Sequence, residues 1–125
     1  MLKKLILISA IGYTIVLATL SLVRLNNLPD GGISFADKIF HCLAYALLTL
    51  FWFAVCAWTL NVRKKSAFVS VIIFAILFGI IIEVLQHTMT DYRELDVYDI
   101  LANTLGVMLA SLILFFKNSF SVKNT

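Results

Sequence analysis

The sequence predicts an all-α membrane protein: a four-transmembrane-helix up-down bundle with both termini cytoplasmic. Three observations carry that reading. Hydrophobic residues make up 62% of the 125 and charged residues 14%, with a mean hydropathy of +1.00, whereas globular domains run nearer ~45–50% apolar and ~25% charged. Four apolar runs each approach the ~20 residues needed to cross a bilayer. The basic residues sit in short clusters beside those runs, with Lys3, Lys4, Arg63, Lys64, Lys65, Lys117 and Lys123 on one side and Arg24, Lys38 and Arg93 on the other. The richer side is cytoplasmic by the positive-inside rule. A single domain spans 1–125. The net charge of +3 does not indicate a nucleic-acid partner, because the basic clusters flank apolar runs and do not form a phosphate-tracking face.

The first helix is expected over 5–23. Its apolar run exceeds the ~7–15-residue core of a signal peptide, and Leu22-Val23-Arg24-Leu25 offers no small-residue cleavage site, so the helix should be retained. Ser9, Gly12, Val16 and Thr19 recur at helical spacing, a small and mildly polar stripe suited to packing on a neighbour. Pro29-Asp30-Gly31-Gly32 reads as a turn, and Ser34-Phe35-Ala36-Asp37 has capping-box form. The second helix is therefore expected over 36–60. Asp37, His41, Tyr45 and Thr49 recur every fourth residue and make one polar stripe down its first half.

A tight basic loop, Asn61 to Ser66, leads to a third helix over 67–87, where Ala75, Gly79, Glu83 and Gln86 share a face. The fourth helix is expected over 97–116. Asp96, Asp99, Asn103, Gly106 and Ala110 follow the three-then-four spacing of one packed seam. Gly106 and Ala110 form a small-xxx-small pair that lets a neighbouring backbone come close, and such Gly/Ala faces also offer a route to oligomers. The tail beyond Lys117 is polar, and fraying is expected there. Cys42 and Cys56 read as buried small hydrophobes that cannot pair with each other.

With this topology every acidic residue and both histidines gather near the extracytoplasmic face. Intramembrane ionisable residues such as Glu83 point to a cavity or a partner. Arg93, Lys38 and His41 are its reachable donors. The competing reading of Glu83 is a structural ion pair that ties helices together. His41, with Asp37 a turn above and Tyr45 a turn below, suits either a positioned acid or base or a neutral interhelical hydrogen bond. Asp37 and Asp96 are also natural N-caps. His41, Glu83, His87, Asp96 and Asp99 supply metal-ligand types from separate helices but without zinc-site spacing, so no cofactor is expected and a divalent metal has only weak support. Phosphate-cradling glycine loops and a plausible nucleophile are both missing from the sequence.

At these residues the sequence resembles the VanZ-like family of bacterial membrane proteins. The pattern is Asp37, Lys38, His41 and Tyr45, then Glu83 and Gln86, then Arg93, Asp96, Asp99, Asn103 and Gly106. It spans three of the four helices, with Ala110 where members often carry a second glycine. The resemblance implies a bacterial cytoplasmic-membrane location and an association with reduced susceptibility to teicoplanin, but no catalytic role. The leading expectation is an outward-facing site that binds an anionic lipid or lipid-linked cell-envelope precursor. His41, Glu83, Arg93, Asp96 and Asp99 would stand at its centre as ligand-binding or acid/base groups, with Asp37, Lys38, Tyr45, Gln86 and Asn103 as further ligand contacts. A membrane hydrolase or transferase acting on a lipid head group is the first alternative, with His41 or Glu83 as base and a metal at Asp96 and Asp99. The second alternative is a structural or partner-binding role.

Overall fold

A computed structural model describes residues 1–23, 35–89 and 97–123, with side chains described for all of these except residues 23, 35–37 and 118–123. Its helices are α1 (Leu2–Val23), α2 (Phe35–Ala54), α3 (Lys64–Met89) and α4 (Val97–Lys123), and a π-helical turn, Val55–Thr59, extends α2. All four are long and apolar enough to cross a membrane. The turn Pro29–Gly32, the cap residue Ser34, and the acidic and basic residues of 90–96 lie outside the described residues.

The helices run past the expected apolar bounds at their basic ends. Lys3 and Lys4 fall in the first turns of α1, Lys64 and Lys65 open α3, and α4 continues to Lys123 instead of fraying after Lys117. Hydropathy marks the hydrocarbon crossing, but lysine is itself a good helix former and carries the hydrogen-bond ladder into the interface. The basic loop shrinks accordingly to residues 60–63. It is closed by Leu60 N–H to Val55 O and Val62 N–H to Cys56 O, both 2.9 Å. Asn61 takes the left-handed conformation, with φ 54°, which asparagine tolerates better than most residues.

Packing is inverted relative to a water-soluble bundle. The interior is rich in small and polar side chains, among them Ala10, Ala44, Ala75, Ala102 and Ala110 with Thr49, Glu83, Gln86, Asp99, Asn103 and Ser111, beside a few large ones such as Tyr45 and Leu48. Large aliphatic residues such as Ile8, Ile15, Leu77, Ile81, Leu101 and Leu112 point outward. Lipid tails cover such a surface at no cost, and small interior residues let helices approach closely where no hydrophobic force drives them together. The fold is that of a multi-pass membrane protein.

Helix α2 is central: it packs on α1, α3 and, most extensively, α4. Gly106 sets that last contact. A Cβ there would lie 2.0 Å from the Cys42 carbonyl oxygen and 3.1 Å from the Ala46 nitrogen. Tyr45, Leu48, Ala75 and Val107 meet Leu17 and Ala44 in the main core cluster. Cys42 and Cys56 are half-buried free thiols, less enclosed than expected.

The expected packing stripe of α1 is overturned. Ser9, Gly12, Val16 and Thr19 are exposed, and a Cβ on Gly12 would meet nothing within 4 Å. The face that packs carries Ala10, Tyr13, Thr14 and Leu17. Tyr13 donates its hydroxyl hydrogen to the Ala44 carbonyl (2.5 Å). Trp52 Nε1–H donates to Thr14 Oγ1 (2.8 Å), and that hydroxyl donates to the Ala10 carbonyl (2.7 Å). Polar groups that need partners inside a bilayer, rather than small size alone, choose the face.

Candidate functional site

Up-down topology brings the start of α2, the end of α3 and the start of α4 to one end of the bundle. Helical spacing then aims Lys38, His41 and Tyr45 from α2, Glu83 and Gln86 from α3, and Asp99 and Asn103 from α4 into shared space. At the opposite end lie Lys3, Lys4, Arg63, Lys64, Lys65 and Lys117.

Asp99 is the hub of the described contacts. Its side chain is 0% exposed, and its Oδ1 accepts a hydrogen bond and ion pair from Lys38 Nζ, whose side chain is 17% exposed. His41 Nε2 lies 3.7 Å from the same oxygen. His41 Nδ1 stands 3.1 Å from Asn103 Oδ1. A carbonyl oxygen only accepts, so the tautomer that carries its hydrogen on Nδ1 is the one that makes this a hydrogen bond. A carboxylate this deep is costly in hydrocarbon, and a cation held against it offsets most of that cost.

Glu83 is 2% exposed and Gln86 2% exposed. One turn before Glu83, Gly79 makes room for the α2 and α4 side chains: a Cβ there would lie 3.1 Å from Tyr45 Cε1 and 3.3 Å from Asn103 Nδ2. Tyr45 itself is 1% exposed and packs its ring against Phe78, with centroids 6.1 Å apart. Gln86 Nε2–H donates to the Ser21 carbonyl at 2.8 Å. This bond brings α1 to the edge of the site, a link sequence reasoning missed because a backbone acceptor has no signature in side-chain spacing.

Of the expected site residues, Lys38, His41, Tyr45, Glu83, Gln86, Asp99 and Asn103 converge on this end. Arg93 and Asp96 lie outside the described residues, as does the side chain of Asp37. His87 is exposed near the end of α3. Among the described residues no group of three or more His, Cys, Asp or Glu side chains is arranged to hold a metal ion. The Gly79 and Gly106 faces are covered within the chain, by Tyr45 and Asn103 at the first and by the Cys42–Ala46 backbone at the second.

Four helices long and apolar enough to cross a membrane, with carboxylates and amides buried at one end beside a half-buried imidazole and ammonium, define a multi-pass membrane protein with a polar cluster at one end of its bundle. The chain belongs to the VanZ/LLP1 family, whose model matches residues 3–118. It is also similar to an uncharacterized protein of Schizosaccharomyces pombe, at 32% identity over 78 residues that cover 62% of this chain and 45% of that protein. The match therefore spans less than half of the yeast relative. No solved structure matches the chain.

Proposed function

We propose that the polar end binds the anionic head group of a membrane lipid or a lipid-linked cell-envelope precursor, from the extracytoplasmic side of a bacterial cytoplasmic membrane. The observation that carries the reading is the asymmetry of the Lys38–Asp99 pair. The ammonium is the partly exposed partner at 17%, and the carboxylate behind it is fully enclosed. An approaching anion meets the cation first, oriented by Asp99 and flanked by His41. An ammonium carries three donors, so its pairing with Asp99 uses only part of what Lys38 can offer an anion. Arg93, seven residues beyond Gln86 in sequence, supplies the type of side chain that grips such groups bidentately.

Sidedness rests on the positive-inside rule, because Lys3, Lys4, Arg63, Lys64, Lys65 and Lys117 share the other end. Tolerance to teicoplanin would follow if binding changed the surface exposure of lipid-linked wall precursors. The fungal relative favours a head group common to many membranes as the basic ligand, with wall precursors as a bacterial elaboration.

Native mass spectrometry of the protein released from nanodiscs tests this reading. A fall of one in the number of anionic lipids that stay bound, on Lys38→Ala and on Arg93→Ala alike, is the expected result. Full retention in both variants would contradict it. Turnover of a lipid head group that a chelator abolishes would favour the hydrolase or transferase alternative instead.

A further inference from the structure

We infer that the basic end of the bundle holds a second, separate lipid site: a groove between α1 and α4 that seats the acyl chain of an anionic phospholipid with its phosphate between Lys64 and Lys117. Helices α1 and α4 both pack on α2 and do not pack extensively on each other. The gap they leave is a cavity of about 720 Å³, floored by Phe51 and walled by Leu5, Leu114 and Trp58. That volume falls within the roughly 300–1,000 Å³ typical of small-molecule sites.

The lining is mostly apolar, with Ser9 as its one hydroxyl, and its two charged groups are both cationic: Lys64, which opens α3, and Lys117, in the last turns of α4. Both are exposed. An apolar trough capped by two ammonium groups is complementary to a molecule with hydrocarbon below and negative charge above. A zwitterionic phospholipid brings the same phosphate together with a cation of its own, which the two ammonium groups repel, whereas an anionic phospholipid brings net negative charge, the kind of head group that basic pockets between transmembrane helices select. Trp58 is 55% exposed at the mouth, where an indole prefers the head-group level. The inference is independent of the reading of the polar end, which lies at the other side of the bundle.

The test uses Trp58 as the reporter, its share of the emission being the part lost in Trp58→Phe because Trp52 also fluoresces, in nanodiscs that contain, at equal mole fraction, either brominated phosphatidylglycerol or brominated phosphatidylcholine. The expected result is stronger quenching by the brominated anionic lipid. Lys64→Gln/Lys117→Gln should remove that excess, while Lys4→Gln/Lys65→Gln, an equal charge change outside the groove lining, should retain it. Lys38→Gln should leave it unchanged, so the two lipid sites are separable. Equal quenching by the two lipids in the wild-type protein would overturn the inference without any variant. So would an excess that survives Lys64→Gln/Lys117→Gln or is lost equally in Lys4→Gln/Lys65→Gln.

Discussion

Lys38 and Asp99 form a pair that neither can leave at low cost. Removing one partner of a buried ion pair costs up to about 3–5 kcal/mol, because the survivor loses a counter-charge in a place water does not reach. Lys38→Met and Asp99→Asn should therefore each lower thermal stability clearly, and the double variant should lose less than the sum of the two. Thermal unfolding in detergent measures this, and strictly additive losses would show that the pair does not couple. Glycines give a second residue-scale prediction. Gly106→Ala forces a Cβ to 2.0 Å from the Cys42 carbonyl, an overpacking that costs about 1–3 kcal/mol and outweighs alanine's helix preference of about 1 kcal/mol. Gly12→Ala meets nothing within 4 Å and should be neutral or slightly stabilising in the same assay. At this scale much of the polar end was legible, since Asp99, Asn103, Gly106 and Ala110 follow one seam and all are buried. The pairing of Lys38 with Asp99 was not, because spacing assigns side chains to faces but cannot say which cation meets which carboxylate across helices.

Among the elements, α1 is where sequence and structure part. The helix is apolar around most of its circumference, so hydropathy supplies no phase, and the small-residue rule alone selected the stripe that faces outward. The real phase comes from three bonds to α2 and α3: Tyr13 to Ala44, Trp52 to Thr14, and Gln86 to Ser21. Each such bond is worth roughly 0.5–1.5 kcal/mol net. Trp52→Phe and Tyr13→Phe should each loosen α1 by that order, and their combination should raise proteolytic nicking near its ends before the other three helices unfold. If α1 protection is unchanged in the double variant, these bonds do not hold it. The other helices were easier to read because their polar residues mark the buried face directly: Glu83 and Gln86 on α3, and Asp99 and Asn103 on α4. Their ends were harder, since the apolar run stops at the interface while the lysine-rich turns remain helical.

The whole molecule separates its charges by end, with carboxylates and amides gathered at one and six described cations at the other. That separation was legible from loop composition alone. Which end faces outward depends on the positive-inside bias, and every ligand proposed for the polar end requires it to be the outer one. Sidedness is therefore the claim to test first. In a background of Cys42→Ala and Cys56→Ala, a cysteine is placed at Met89, 65% exposed at the polar end, or at exposed Lys65 at the basic end. Intact bacterial cells are then treated with a membrane-impermeant thiol reagent. Met89→Cys should label directly, and Lys65→Cys only after permeabilisation; the reverse pattern would place the polar end in the cytoplasm and contradict an extracytoplasmic head-group site.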